Sequence, residues 1–578
     1  MAAERMALGL IVKMKDGATP TSVVRLQAAA MPREQPQRIR LRLASAAHKA
    51  GISYVVNRPA AFAASVIHNG YPVPLGQAQA QAARLRQDPD VEWVVVNELE
   101  KRQAVSSPFL TDAAAGGLPN VPAARAILGA ETQTPQPVVV AVLDTGVLRH
   151  PGLGNRVLHQ HGYDFVAEVD YANDGNGMDD DASDPGDYLT SGQFSQNPAL
   201  YTDCDGVHDS SWHGTEVAGV LAADINNTVG TAGMLSTTAG AVVLPVRVAG
   251  QCGAAVIDII EGMLWAAGIS YNGQPKVNPY PARVINLSFG GSPGCSCDRS
   301  RLTDGACLYT DAIATLKQKG AILVAPSGNS SRADVDGGVG TSRPASCPGA
   351  LAVTALNVNG QKARYANFVP STGIATVGGD PAPSVNAGDG GIPTTANNGT
   401  TVPTTLNGDP TADYKMVAGT SFSAPVVAGT VALMWAINPG LSVDELLAGL
   451  RGHGVRAHPS VLNAGTCTAA SPVNAGSCSC TTATCGVGVL DTAAAVQWAI
   501  DERIRVHGLT APIQPYVSPS VTASFFNASA LRGFSTSGQN NGGSNGGGGG
   551  GALGLVDVLA CLLLGGWLGI GRWRRRAH

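Results

Sequence analysis

The chain predicts an α/β protein: a parallel sheet covered by helices on both faces, with a small α+β domain before it and an apolar segment after it. Three observations carry this. Between about 120 and 505, apolar runs of strand length alternate with helix-like segments, the pattern of a sheet buried on both sides. Ahead of residue 105, a strand–helix–strand pattern stands apart from that series. After 551, a mostly apolar run, 552–571, is followed by Arg572, Arg574, Arg575 and Arg576. At 578 residues and 44% hydrophobic, with 72 Gly and 36 Pro, the composition suits a large loop-rich core and excludes a disordered chain. A net charge of −4 and the lack of any basic-aromatic surface motif argue against nucleic acid as a partner.

Taken in order, 7–15 reads as a strand and 78–85 as a helix, followed by the turn Asp88-Pro89 and a strand at 91–97. The core strands of the sheet are expected at 138–143, 242–248, 284–289, 321–325 and 351–355, with helices at 257–267 and 310–319. Ligands of such sheets sit at the carboxyl ends of strands. Asp144 and Asn329 both stand just past a strand. The stretch 378–412, rich in Gly, Pro, Thr, Asn and Asp, reads as loops, and 506–535 carries no motif. A flexible Gly/Ser/Asn linker, 535–551, leads to the apolar run, whose length and flanking arginines fit a membrane span with the arginines cytoplasmic. Asp557 is its one misfit, costly in lipid away from an interface.

Chemistry centres on Gly419-Thr420-Ser421, a small-residue turn running into an apolar, helix-like segment. A serine hydroxyl is a weak nucleophile until a base takes its proton. A histidine at a helix start, His213-Gly214-Thr215, and an acid after a strand, Asp144-Thr145-Gly146, stand upstream. In that order and with these flanks, the three boxes resemble the subtilisin-like serine proteases. The resemblance spans roughly residues 120–505 and implies a subtilisin-like parallel sheet, an Asp144–His213–Ser421 triad, and an oxyanion-hole role for Asn329 within Ala325-Pro326-Ser327-Gly328-Asn329. It implies that Ser288, Phe289 and Gly290 line the substrate strand, Phe289 replacing the more usual leucine. It further implies a secreted or surface-sorted serine endopeptidase that acts on proteins or peptides, works through an acyl-enzyme without a catalytic cofactor, and is made as a self-processing zymogen. The domains are then a chaperone and inhibitor propeptide at 1–105, a catalytic domain at 106–505, an extension and linker at 506–551, and a transmembrane tail at 552–578. The tail also resembles GlyGly-type bacterial sorting tails, which a rhomboid-like protease removes. The rival reading is a catalytically silent, surface-displayed binding protein on the same fold.

An acidic insertion, 170–187, contains Asp174-Gly175-Asn176-Gly177-Met178-Asp179. Oxygen donors at alternating positions with glycines between them suit a calcium ion, and Asp174, Asn176, Asp179 and Asp181 are the expected ligands, with Asp184 a further candidate. The rival reading is a solvated acidic loop. Ten of the eleven cysteines lie within 106–505, and Cys561 lies in the tail. An even set of ten favours disulfides and an oxidising compartment over zinc, because no histidine stands among the close pairs. Cysteines one residue apart bridge each other poorly. The expected scheme is therefore Cys204 with Cys252, two bridges among Cys295, Cys297, Cys307 and Cys347, and two among Cys467, Cys478, Cys480 and Cys485, connectivity left open. Met1 to Arg5 leave no room for an export leader, so we expect either a true start upstream or an export signal of another kind.

Overall fold

A computed structural model describes residues 6–15, 36–98 and 117–519. Within those spans it leaves out 61–63, 70–72, 168, 197, 199–200, 202–205, 225–230, 236–240, 252, 255, 272–275, 292–293, 297–304, 330–339, 381–390, 462–464, 469–477 and 509–511. The chain divides into two compact units, Met1–Arg102 and Gln103–His578.

In the first unit, β1 (Met6–Met14), β2 (Val56–Ala60), β3 (Ala64–His68), β4 (Val73–Pro74) and β5 (Val91–Glu98) form an antiparallel sheet, with β1 between β3 and β5. Alternate β1 residues Leu10, Val12 and Met14 share one face, as the two-residue period of a strand requires. Helices α1 (Pro36–Lys49) and α2 (Leu75–Leu85) bury Leu43, Ala46, Ala82 and Leu85 in the same cluster. Sequence reading missed α1. Its arginines at 38, 40 and 42 alternate with apolar residues like a strand, yet Leu41 is 69% exposed and the buried stripe is Leu43, Ala46 and Ala47.

The second unit adds β6 (Val139–Asp144), β7 (Tyr163–Asp164), β8 (Val242–Arg247), β9 (Val284–Leu287), β10 (Ile322–Pro326), β11 (Leu351–Leu356), β12 (Ile374–Val377), β13 (Ile392–Ala396), β14 (Asp413–Val417) and β15 (Val489–Leu490). Its main helices are α3 (Val121–Ala130), α4 (His213–Ala222), α5 (Val256–Ala266), α6 (Gly305–Lys319), α7 (Thr420–Ile437) and α8 (Thr492–His507). Across the sheet the order is β15-β12-β11-β10-β9-β6-β8-β7, all parallel. The five expected core strands lie within two residues of these bounds, while α6 starts five residues earlier than 310.

Within β6, Val140 and Val142 join the layer that contains α4 and α7, whereas Ala141 and Leu143 join the layer of α5 and α6. This is why the strand reads as continuously apolar. The chain leaves β6 for β8 on one side and returns to β9 on the other. Such a reversal opens a crevice at the carboxyl ends, and Asp144 closes β6 there. Helix α7 is long and apolar enough to cross a membrane, but all 18 of its residues are buried, so it is the core helix of this unit. The apolar tail 552–571 lies outside the described residues.

One expectation is corrected. The stretch 378–412 contains β13, which pairs antiparallel with β14 over Ile392↔Val417 to Ala396↔Asp413, and a small hairpin between them. Loop-like composition concealed it because β13 is anchored by hydroxyls instead of an apolar stripe. Asn407 and Gly408, both at positive φ, make the tight turn of the small hairpin.

The described disulfides are Cys295–Cys347, Cys467–Cys478 and Cys480–Cys485. They accord with the expected groupings, and no cysteine pairs with its neighbour one residue away. Cys204, Cys252 and Cys297 lie outside the described residues, as does the Cys307 side chain. The sulfurs of Cys467, Cys480 and Cys485 lie close together, but all three are bridged, which leaves no thiolate for zinc. Residues 512–519, within the stretch that carries no sequence motif, cross the amino ends of the strands. Arg283, just before β9, sits between the rings of Trp435 (4.0 Å) and Tyr516 (3.5 Å), and Lys319 Nζ donates to the Pro519 carbonyl at 2.6 Å.

Candidate active site

Helix α4 begins with His213, and its amino end abuts the turn that follows β6. Gly214 permits this approach, since a Cβ there would fall 2.1 Å from the Gly146 carbonyl oxygen. The result is a hydrogen bond of 2.7 Å from His213 Nδ1 to Asp144 Oδ1, with both side chains essentially buried. Asp144 Oδ1 also accepts from the Thr145 N–H at 2.9 Å. Burial acts to lower the pKa of His213, but the charge and hydrogen bond of Asp144, with Glu216 and Asp187 beyond, outweigh it and the net shift is upward. The imidazole packs edge-on against Phe289 and tilted against Phe422. Its Nε2 is buried and has no hydrogen-bond partner among the described residues.

Ser421 lies at the start of α7, and its Oγ donates to the Ser288 carbonyl at 3.2 Å. Pro425, four residues on, has no N–H to offer the Ser421 carbonyl, as an α-helix would require. Ser288 Oγ fills that vacancy with a bond of 2.8 Å to the Ser421 carbonyl, and Asn286 Nδ2 donates to the Ser288 hydroxyl at 3.0 Å. A helix-breaking residue therefore sits four residues beyond Ser421 without orphaning a buried carbonyl.

Asn329 Oδ1 accepts from both the N–H (3.0 Å) and the hydroxyl (2.8 Å) of Thr420. This fixes the amide orientation, with Nδ2 beside Gly419. Gly291 exchanges both backbone hydrogen bonds with Arg343, which gives the 288–291 segment a strand-like partner on one side. Phe289 is 1% exposed, so its ring forms a wall beneath the histidine. The structure thus gathers Asp144, His213, Ser421, Asn329, Ser288 and Phe289 around one crevice.

Sequence reading missed the polar network behind it. Thr145 Oγ1 accepts from the Gly214 N–H and donates to Asp184 Oδ2 at 2.6 Å, while Asp187 accepts from the Ser211 N–H and hydroxyl. Burial and the adjacent Asp187 carboxylate push Asp184 up to about 8. Trp212 precedes the histidine at φ 57, a left-handed conformation that costs a bulky residue on the order of 1–3 kcal/mol. Its indole N–H, donating 2.7 Å to the Gly399 carbonyl, holds it there. Thr394 and Thr395 of β13 donate to the carbonyls of Glu216 and Thr215 at 2.6 and 2.7 Å. Gly219 keeps that contact close: a Cβ there would lie within 2.3 Å of both threonine hydroxyls. The Asn407-Gly408 turn was the one sequence signal that could have revealed this hairpin.

The expected calcium donors do not converge. Asp174 pairs with Arg247 at 2.6 Å and accepts from the Asn176 N–H, Asn176 Nδ2 donates to Asp179, and Asp179 and Asp181 each cap the amide two residues on. Arg247 also pairs with Asp164, so a buried guanidinium neutralises the base of the loop. As arranged, the oxygens do not form a cation shell.

A buried Asp–His pair at the carboxyl ends of a parallel sheet, with a serine at a helix start beside it, defines a serine hydrolase of the α/β class. Residues 136–458 match the family model described as the subtilase family. The chain is 33% identical over 500 residues to an extracellular protease of Xanthomonas campestris pv. campestris, covering 85% of this chain and 73% of that protein. It is 34% identical over 308 residues to an extracellular basic protease of Dichelobacter nodosus, covering 52% of this chain and 43% of that one. A solved protease structure from Pseudoalteromonas arctica shares 34% identity at a TM-score of 0.51, covering 66% of this chain and 95% of that chain. The chain belongs to the subtilase family and is a serine endopeptidase.

Proposed function

We propose that Ser421 is the nucleophile, His213 the general base, Asp144 the acid that orients the base, and Asn329 an oxyanion donor. The buried 2.7 Å bond from His213 to Asp144 carries this reading. With its proton held on Nδ1, the imidazole keeps Nε2 free to take the proton of Ser421 as the hydroxyl attacks a peptide carbonyl. Asn329 Nδ2 and the Ser421 N–H stabilise the charge that develops on the carbonyl oxygen. The protonated imidazole then gives its proton to the leaving amine, and water hydrolyses the acyl-enzyme by the same steps. Ser288, Phe289 and Gly290 take an extended protein or peptide substrate as an added strand.

The unit Met1–Arg102 acts as chaperone and inhibitor until the enzyme cleaves it off, which suits a parallel sheet that folds slowly. Export follows from the cysteine usage and agrees with the extracellular relatives. The residues 552–578 serve as a membrane or sorting tail, transient where a rhomboid-like protease removes it; composition supports this. Intact mass of the purified full chain, before and after a fluorophosphonate probe, tests these points together. We expect one adduct, mapped to Ser421, on a species that has lost its N-terminal unit, and the same mass reads whether the tail remains. No adduct, even after mild proteolysis with calcium supplied, would leave a binding protein on the same fold.

Calcium in the 170–187 insertion is supported by the spacing of its donors and opposed by the Arg247 pairing. Uptake would need Asn176 and Asp179 to turn toward a common ion. A melting temperature lowered by EGTA and restored by calcium is the expected result; an unchanged one removes calcium from the reading.

A further inference from the structure

The segment carrying His213 is held by a part of the chain that none of the catalytic motifs includes. Ser210, Ser211, Trp212, Thr215 and Glu216, on either side of His213 and Gly214, are all tied to the hairpin region 394–415. Ser210 is held through its N–H and hydroxyl by the carbonyls of Thr400 and Thr401, and the ties of Trp212, Thr215 and Glu216 are given above. Lys415 of β14 completes the set. Its Nζ forms an ion pair with the Glu216 carboxylate and donates to the Ser211 carbonyl at 3.4 Å.

Ser211 stands two residues before the histidine and Glu216 three residues after it. One ammonium group thereby spans His213 from both sides. Glu216 is 4% exposed and lies within one helical turn of the imidazole, whereas the Lys415 side chain remains 43% exposed. A buried carboxylate needs a counter-charge, and the hairpin supplies it. We propose that Lys415 and Glu216 form a cross-brace on the histidine: they are positioning residues that fix the imidazole and set the charge balance around it.

This rests on the reading of His213 as the general base. Several groups bear on the histidine's charge. Asp144 faces it from β6, Glu216 acts from its own helix and Asp187 from the preceding insertion, while Lys415 of the hairpin is paired with Glu216. Helix α7 brings no charged residue, only the Phe422 ring. Arg247, paired in register with Asp144, turns its guanidinium to Asp164 and Asp174. Glu216 is thus one of the few negative groups near enough to favour the imidazolium, and Lys415 balances it.

The test uses the matured full-length enzyme, with active sites counted by fluorophosphonate titration so that rates are per competent molecule. Glu216→Gln removes a negative neighbour and leaves the lysine charge, so the acid limb of kcat/KM moves to lower pH by about half a unit. Adding Lys415→Gln returns the limb toward its original position, while kcat falls about fivefold with KM little changed, because the span across His213 is gone. Lys415→Arg keeps both pH profile and kcat. A purely structural pair would lower the melting temperature and the active fraction but leave the acid limb and the per-site kcat in place; that result overturns the proposal. Failure of the unaltered enzyme to take up the probe would instead overturn the triad reading.

Discussion

Ser421→Ala is expected to abolish peptide hydrolysis, lowering kcat on the order of 10⁶-fold, the scale that subtilisin shows on losing its nucleophile, with the fold intact. Folding is spared because the side chain contributes little to the packing around it. Ser421 Oγ makes one 3.2 Å bond to the Ser288 carbonyl, whereas the helix start is held by backbone that alanine retains: the Ser421 carbonyl still accepts from Ser288 Oγ, and Thr420 still donates twice to Asn329. Thermal melting should therefore shift by no more than about 2–4 °C. Residual turnover above the uncatalysed rate reflects the oxyanion donors and substrate alignment, which do not depend on the hydroxyl. The same variant bears on maturation. An enzyme that removes its own N-terminal unit cannot do so without Ser421, so the purified variant keeps Met1–Arg102 covalently attached, as intact mass will read directly. Hydrolysis within tenfold of the unaltered enzyme, at equal purity, would show that the nucleophile lies elsewhere.

The features legible in the sequence are those whose physics is local. Strand β6 announces itself because both faces are buried, so every residue up to Asp144 is apolar. The glycines of the histidine box are legible because close approach excludes any side chain, at Gly214 against the β6 turn and at Gly219 against Thr394 and Thr395. The hairpin β13–β14 was not legible, since its attachment to α4 runs through threonine hydroxyls and main-chain carbonyls, groups that leave no periodic pattern. Neither was Trp212. Its left-handed backbone is secured by a carbonyl 187 residues away, at Gly399. Nor does residue type reveal that Pro425 and Ser288 form a matched pair: the N–H that Pro425 lacks is replaced at the Ser421 carbonyl by the hydroxyl of Ser288, 133 residues before Ser421. Residues 512–519 escaped notice for the same reason, being fixed by ring stacking on Arg283 and by a lysine-to-carbonyl bond.

Asp144→Asn should cost on the order of 10⁴-fold in kcat while leaving KM nearly unchanged. The carboxylate accepts the His213 Nδ1 proton through Oδ1 at 2.7 Å, and the same oxygen accepts from the Thr145 N–H. An asparagine can keep the Thr145 bond, but its amide carries no charge and offers an N–H₂ edge that pairs with a bare Nδ1. The imidazole then places its proton on Nε2, the atom that must be unprotonated to take the proton of Ser421. The proposed substrate strand at 288–290 is untouched, so the loss is expected in turnover rather than in binding. The charge change has its own signature. Burial works to lower the His213 pKa and Asp144 is the first group that raises it, so removing the carboxylate charge must lower it. Activity falls where His213 becomes protonated; with the folded pKa reduced, that fall moves to lower pH, and the residual activity of the variant persists into more acidic solution than that of the unaltered enzyme. A kcat–pH profile on active-site-titrated protein reads both effects at once. A variant that keeps its turnover, or whose acid limb moves upward, would mean that Asp144 does not govern the proton on this histidine.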